Sequence, residues 1–171
     1  MTDRAPSFLL RAMRDDDLDA VLAVQAACYP AAMQEGADVV LARRRAAPAT
    51  ALVACDGSGV CGYLFAYPSL RGKVTPLGGA FRVPEVADTL YLHDLAVAPR
   101  ALGKGLARRL VQRMHDAGAQ LGLAHAALVS VQDSRCFWEG FGYVAAQGDA
   151  AALASYPPGA LYMLRSAGEA R

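Results

Sequence analysis

The chain has 171 residues, of which 54% are hydrophobic and 19% charged, and its formal net charge is +1 at pH 7. This length fits one domain, residues 1–171, that buries a core without disulfide or metal cross-links. The near-neutral charge argues against binding to nucleic acid or to an anionic membrane. With no run of about 18 apolar residues to span a bilayer, we expect a cytoplasmic protein.

The cysteine pattern argues against a metal site. Cys28, Cys55, Cys61 and Cys136 form no CxxC pair, and no histidine stands at zinc-finger spacing, so we expect no metal. Cys55 and Cys61 flank the turn DGSGV, but a reducing cytosol disfavours a disulfide between them.

Periodicity and turn residues divide the N-terminal half into short elements. The acids Asp15 to Asp17 suit the positive N-terminal end of an amphipathic helix that Pro30 closes. The predicted elements are a strand over 7–13, helices over 16–29 and 35–47, and a hairpin over 49–68. A long loop rich in Gly and Pro follows over 69–88, and loops of this length are often functional.

The C-terminal half opens with TLYLHDLAV, residues 89–97, whose apolar character predicts a central strand buried on both faces. The next segment, 105–122, is the clearest helix, because its apolar residues recur at helical spacing at Leu106, Leu110, Val111, Met114 and Ala117. The remaining predicted elements are a strand over 125–131, a helix over 133–142, and closing strands over 142–146 and 160–165 around SYPPG. The order predicts one α/β domain.

The stretch LAVAPRALGKGLARRLV joins the central strand to this helix through two glycines. Backbone N–H groups at a helix N-terminus, together with the helix dipole, bind phosphate, and glycine lets the anion approach. The P-loop pattern and the third glycine of a dinucleotide fingerprint are both missing. On the loop alone, an anion site and an ordinary strand-to-helix connection remain equally good interpretations.

Two motifs in the same order resolve this, and through them the chain resembles the GNAT superfamily of acetyl-CoA-dependent N-acetyltransferases. LAVAPRALGKGLARRLV is similar to that family's pyrophosphate-binding segment, and SRCFWEGFGY, about thirty residues later, is similar to its A-x-x-F-Y-x-x-x-G-F segment. The resemblance covers nearly the whole chain. It implies a mixed, mostly antiparallel sheet of about six or seven strands with about four flanking helices.

The resemblance implies a set of residues that bind acetyl-CoA. Counted from Val97, the family's [RQ] position falls on Leu102, although the literal string RxxGxG begins at Arg100. Leu102 departs from the family, but backbone N–H groups hold most of the phosphate charge. Lys104 is either a charge contact or a solvated lysine. The implied set is Leu95, Ala96 and Val97 for pantetheine; Leu102, Gly103, Lys104, Gly105, Leu106 and Ala107 for pyrophosphate; and Ser134 and Trp138 beside the thioester.

LYLHDLAV is similar to the strand of arylalkylamine N-acetyltransferases that carries H-x-H-A-L-A-V. His93 falls on the second histidine and Tyr91 on the first. Because only a neutral amine attacks a thioester, and an alkylammonium has a pKa near 10, a base active near pH 7 is needed. His93 is the expected base and Asp94 the second choice. Strand alternation predicts Tyr91 and His93 on one face and Asp94 on the other.

Trp138 stands where many family members have a tyrosine that protonates the CoA thiolate. An indole N–H donates a hydrogen bond but has no proton to transfer at ordinary pH. CoA therefore leaves as a stabilised thiolate, or a water or another hydroxyl supplies the proton; Tyr143 and Ser134 are the candidates. A pocket-wall role for Trp138 is the favoured interpretation.

The acceptor is expected between CYPAAMQEG and the long loop, with Tyr29, Met33, Glu35, Phe81 and Tyr91 as candidate lining residues. The apolar members suit an aromatic or aliphatic primary amine, and Glu35 suits the second cation of a polyamine. Core packing is the competing interpretation for each of them.

Three functions remain open from the sequence. They are a small-molecule amine N-acetyltransferase, a protein N-terminal or lysine acetyltransferase, and a CoA-binding module without catalysis. The favoured partners are acetyl-CoA and a small amine, with a homodimer as the assembly to consider. An open peptide groove would favour the second function, and tight but inert CoA binding the third.

Overall fold

The computed structural model describes residues 7–166. One seven-stranded sheet has the strand order β1-β2-β3-β4-β5-β7-β6, and all neighbouring strands are antiparallel except β4 and β5, which are parallel. The strands are β1 Leu9–Ala12, β2 Ala51–Asp56, β3 Gly59–Ser69, β4 Thr89–Val97, β5 His125–Ser130, β6 Val144–Ala145 and β7 Leu161–Ser166. This confirms the predicted single-domain, mostly antiparallel sheet with a central β4.

Five α-helices accompany the sheet: α1 Leu18–Cys28, α2 Ala37–Ala46, α3 Leu106–Gln120, α4 Arg135–Glu139 and α5 Ala150–Leu153. The helix α5 was not predicted from the sequence. Its N-cap is Asp149, whose carboxylate accepts hydrogen bonds from the N–H groups of Ala151 and Ala152. An aspartate directly before a run of alanines is the N-cap signal that was overlooked. Within the described residues, no helix is long and apolar enough to cross a bilayer.

Different helices cover the two faces of the sheet. A side chain at Gly62 would meet Leu106 and Leu110 of α3 at 3.4 and 3.5 Å. The neighbouring Tyr63 points to the opposite face, as strand alternation requires, and donates its hydroxyl to Asp94. The first of these faces packs against α3, and the second carries the aromatic and charged residues described below.

The buried stripe of α3 differs from the predicted one at a single position. Leu106, Leu110, Val111 and Met114 are buried as expected, but the last buried position is Gly118 rather than Ala117. A Cβ at Gly118 would lie 2.9 Å from Leu90 Cδ2. The close approach of α3 to β4 therefore needs glycine at this turn.

His115 of α3 has a structural role. Its Nε2 lies 2.7 Å from the Tyr143 hydroxyl, and its Nδ1 accepts a hydrogen bond from Arg165 at 2.6 Å. Burial, followed by the charge of Arg165, lowers the pKa of His115 to about 4. The imidazole is therefore neutral near pH 7 and ties α3 to β7.

β4 contains one extra residue. Phe65 of β3 is paired with Asp94, and the next residue, Ala66, is paired with Leu92, so His93 has no partner across the β3–β4 ladder. A β-bulge of this kind bends the strand and redirects its side chains. The bulge lies where β4 stops pairing with β5, since that pairing ends at Leu92 and Leu128.

Candidate active site

The separation of β4 from β5 opens a gap at the centre of the sheet. Beyond Leu128, β5 continues to pair with β7 but no longer with β4. A cavity of about 160 Å³ occupies the gap. Its lining includes Leu92, His93 and Leu95 from β4, Val129 from β5, and Ser134 and Trp138 at α4.

The edge of β4 that faces this gap presents free backbone donors. Because the Ala98 N–H donates to Cys61 of β3, the alternation of an antiparallel ladder turns the backbone groups of Leu95 and Val97 toward the gap. Their carbonyls accept hydrogen bonds from the Tyr29 hydroxyl at 2.9 Å and the Cys28 thiol at 3.2 Å. Their N–H groups have no partner strand in the described chain.

Of the residues expected to bind pantetheine, Leu95 lines the gap cavity and Val97 lines the neighbouring cavity at the start of α3. Ala96 is different, because it is buried and paired with Tyr63 of β3. The β-bulge of β4 lies at His93, just before these three residues.

The turn between β4 and α3 forms a second concave surface of about 420 Å³. Gly103 and Gly105 have φ angles of 71° and 72°, in the left-handed region that favours glycine. Within residues 7–166, no carbonyl accepts a hydrogen bond from the N–H groups of residues 103–108. The residues that line this concave surface include Leu102, Gly103, Gly105, Leu106, Ala107 and Arg108.

These donors, the helix dipole and the open space beside both glycines make the turn able to hold a phosphate group. The Leu102 side chain is 61% exposed and leaves the backbone accessible. Lys104 donates its ammonium to the Arg100 carbonyl and is not among the lining residues. Arg108 does line the surface and was not predicted, although an arginine in the first turn of a glycine-led helix was the available signal.

The His93 imidazole is buried beside an ion pair. Only 2% of its side chain is exposed, and Nε2 lies 3.3 and 3.4 Å from the two Glu35 carboxylate oxygens. The same carboxylate pairs with the buried Arg43 and accepts the Gly78 N–H at 2.8 Å. Burial alone raises the pKa of Glu35, but its bonds to His93 and Arg43 outweigh this and lower it to about 2.

Asp94 lies on the same face as His93, so the prediction of opposite faces is wrong. Asp94 accepts the Tyr63 hydroxyl at 2.8 Å. On the same face, the His93 ring lies 6.1 Å from Tyr91 and 5.5 Å from Phe81. The bulge breaks the two-residue alternation and brings both candidate bases to one side. Burial raises the pKa of Asp94.

A third cavity of about 30 Å³ adjoins the gap on this face. It shares five lining residues with the gap cavity: Tyr29, His93, Asp94, Val129 and Val131. Its other lining residues are Met33, Glu35, Leu77 and Tyr156. Leu77 comes from the long loop that was expected to line the acceptor site. Tyr156 follows α5 and, like that helix, was not predicted from the sequence.

Three of the five expected acceptor residues, Tyr29, Met33 and Glu35, line this side cavity. Glu35, however, has no oxygen left for a second substrate cation, because Arg43, His93 and Gly78 occupy both. Phe81 and Tyr91 do not line it. Phe81 is buried and stacks on Tyr67 with ring centroids 4.2 Å apart, and Tyr91 is fully buried.

The β3–β4 loop, residues 70–88, contributes Leu77 to the side cavity. The Leu77 N–H donates to the Ser155 hydroxyl at 3.0 Å, and the Tyr156 hydroxyl donates to the Thr75 carbonyl at 2.7 Å. These bonds join the loop to the segment between β6 and β7. The loop and this segment are therefore tied together beside the side cavity.

Trp138 is a buried wall of the gap cavity. Its indole N–H donates to the Ser134 hydroxyl at 3.2 Å, and that hydroxyl lies 3.0 Å from the Ser130 hydroxyl. Of the two hydroxyl candidates for protonating a thiolate, Ser134 lines the gap. Tyr143 is fully buried, is bonded to His115 and does not line it.

No group of three or more His, Cys, Asp or Glu side chains among residues 7–166 is arranged to hold a metal ion. The four cysteines carry free thiols.

Solved structures share this fold at low sequence identity. The loading GNATL domain of CurA from Lyngbya majuscula aligns with a TM-score of 0.79 at 13% identity, covering 95% of this chain and 98% of that chain. The ribosomal-protein-S18-alanine N-acetyltransferase from Escherichia coli aligns with a TM-score of 0.69 at 15% identity, covering 96% and 97%. The Escherichia coli GNAT family N-acetyltransferase YhbS, solved in complex with CoA, aligns with a TM-score of 0.64 at 23% identity, covering 98% and 85%.

No curated protein sequence is significantly similar to this one. The model of the acetyltransferase (GNAT) family matches residues 13–143, which include α1, the bulged β4, the glycine turn and α4. The chain belongs to the acetyltransferase (GNAT) family.

Proposed function

We propose that the chain transfers an acetyl group from acetyl-CoA to the primary amine of a small molecule, with His93 as general base. The observation that carries this proposal is the junction of two cavities at His93 and Asp94. A thioester in the gap cavity and an amine in the side cavity would meet there. The reaction needs both reactants and a base within contact distance.

The residues for acetyl-CoA follow from the gap and the glycine turn. The N–H groups of Leu95 and Val97 are the donors for pantetheine, and those of residues 103–108 are the donors for the pyrophosphate. The Leu95 N–H also suits the thioester carbonyl, where it would stabilise negative charge as oxygen becomes an oxyanion. Four free thiols are in keeping with a reducing, cytoplasmic location.

The transfer balances with one proton removed before attack and one after it. The ammonium gives a proton to His93, directly or through water, and the neutral amine nitrogen attacks the thioester carbon. The C–N bond forms, the C–S bond breaks, and CoA leaves as a thiolate. The second nitrogen proton then neutralises the thiolate, with water or Ser134 as the carrier, since the Trp138 indole has no proton to transfer.

The acceptor class follows from what lines and covers the side cavity. Tyr29, Met33, Leu77 and Tyr156 offer aromatic and aliphatic surface, and Glu35 is already neutralised by Arg43. An arylalkyl or alkyl monoamine suits this lining better than a polyamine. The side cavity is smaller than the gap cavity, about 30 Å³ against about 160 Å³, and this favours a small amine over a peptide.

A panel of acceptors with acetyl-CoA tests the function. We expect phenylethylamine or hexylamine to be acetylated faster than spermidine, a peptide with a free N-terminus, or a lysine peptide. Released CoA thiol and the mass of the acetylated product are the measurements. Faster turnover of either peptide would make the chain a protein acetyltransferase, and CoA binding without turnover of any acceptor would make it a non-catalytic module.

The glycine turn predicts how acetyl-CoA stabilises the fold. Acetyl-CoA should raise the melting temperature of the wild type, because it binds only the folded chain. Gly105→Glu should lose most of this increment, since it places a carboxylate among the phosphate donors. Gly122→Glu is the matched control, because Gly122 also has a φ of 72° and open space but lies after α3. Equal acetyl-CoA affinity in both variants would remove the phosphate assignment.

If His93 is the general base, its removal should lower the rate in a pH-dependent way. His93→Gln should lower kcat/KM for the amine roughly 100-fold near pH 7, as expected for a positioned general base. Part of the rate should return at high pH, where more amine is neutral, and the KM for acetyl-CoA should stay unchanged. Asp94→Asn, which keeps an oxygen for Tyr63, should cost less. The opposite ranking of the two variants would make Asp94 the base.

A further inference from the structure

We propose that Glu35 is a positioning residue that holds His93 in the tautomer with hydrogen on Nε2, so that Nδ1 is the basic atom, and that it links this orientation to the β3–β4 loop. The inference rests on the proposed function for its catalytic meaning. Its structural content, a fixed tautomer and a shared carboxylate, is independent of that function.

The tautomer follows from the contacts of Nε2. Both carboxylate oxygens of Glu35 lie within 3.4 Å of this nitrogen. The pKa of Glu35 is lowered to about 2, so the carboxylate is ionised near neutral pH and can only accept hydrogen bonds. A ring nitrogen whose neighbours can only accept hydrogen bonds must itself carry a hydrogen. In the neutral ring, Nε2 is therefore the protonated atom.

The other ring nitrogen is left without a partner. Nδ1 of His93 is buried, and no polar atom in the described part of the chain bonds to it. A buried polar atom without a partner costs free energy, and such a cost is expected where the partner is the substrate or a water that carries its proton. Nδ1 is thus the atom available to take the proton of an ammonium.

The same carboxylate also binds the β3–β4 loop, which contributes Leu77 to the side cavity. Glu35 accepts the Gly78 N–H at 2.8 Å, and Arg43, which pairs with Glu35, donates to the Gly79 carbonyl at 3.0 and 2.7 Å. Two consecutive residues of the β3–β4 loop are therefore bound to the ion pair that faces His93. The position of the loop and the orientation of the His93 ring are therefore coupled through one carboxylate.

Several titratable groups surround His93, and the kinetic test must allow for them. Glu35 lies just before α2 and Arg43 in the last turn of that helix. Asp94 lies next along β4, and Tyr91 packs on the same face. Tyr29 and Tyr156 line the side cavity with it. Burial keeps the pKa values of these three tyrosines above their usual range and also raises that of Asp94, whereas Glu35 is the ionised carboxylate beside the ring.

The tautomer is measured directly by nitrogen NMR of the histidine rings in the substrate-free protein. The chain has three histidines, so the spectrum is assigned with His→Gln variants. We expect neutral His93 with hydrogen on Nε2 in the wild type and in Asp38→Asn, a control at an exposed carboxylate of α2. In Glu35→Gln the population with hydrogen on Nδ1 should rise, while His115, held by Arg165, should not change.

Glu35→Gln leaves the Arg43 guanidinium buried without a counter-charge, which is destabilising. The double variant Glu35→Gln/Arg43→Met removes that charge and keeps the volume, so it provides a folded reference. The Nδ1–H population should rise in it as well. Wild-type His93 with hydrogen on Nδ1, or an unchanged tautomer in the double variant, would overturn the proposal.

Kinetics separate positioning from simple stability. In Glu35→Gln, kcat should fall about 10- to 100-fold, as for other residues that orient a catalytic group, with the KM for acetyl-CoA unchanged. A fall in melting temperature with kcat unchanged would show a structural role only. Failure of every amine to react would refute the proposed function and leave the NMR result standing.

Discussion

The arrangement of this molecule depends on one extra residue in a central strand. At His93 the β3–β4 ladder skips a residue, and directly beyond this point β4 no longer pairs with β5. The bulge has two consequences for the site. It brings His93 and Asp94 to one face, and it turns the N–H groups of Leu95 and Val97 into a gap that no other strand among residues 7–166 fills. Binding surface and reacting groups thus share one local irregularity.

Charge is distributed around this gap by different physical means on its two sides. At the start of α3, backbone donors and the helix dipole provide positive potential beside the Arg108 guanidinium, which lines the same surface. On the acceptor side, a formal ion pair between Glu35 and Arg43 is buried, and each charge is neutralised by the other and by loop backbone. In the proposed function, the first side would bind the phosphates of acetyl-CoA and the second would orient the His93 ring.

The elements predicted from the sequence are those marked by hydrophobic periodicity or by turn residues, such as the hairpin, α3, the central β4 and the glycine turn. The sequence analysis missed α5, whose signal was the single N-cap Asp149, and placed Asp94 on the wrong face, because a bulge breaks the alternation that such reasoning assumes. The ion pair between Glu35 and Arg43 was also not predicted from the sequence. Glu35 and Arg43 are eight residues apart, but their pairing depends on where the β3–β4 loop runs, and this is decided by tertiary contacts.

A crystal structure with acetyl-CoA bound tests the central claim most directly. The account predicts pantetheine in the gap with hydrogen bonds to the Leu95 and Val97 N–H groups, and the pyrophosphate on the N–H groups of residues 103–108. The acetyl carbon should then lie at the junction beside His93 and Asp94. Acetyl-CoA bound outside the gap, or β4 and β5 paired beyond Leu92 in the complex, would contradict it.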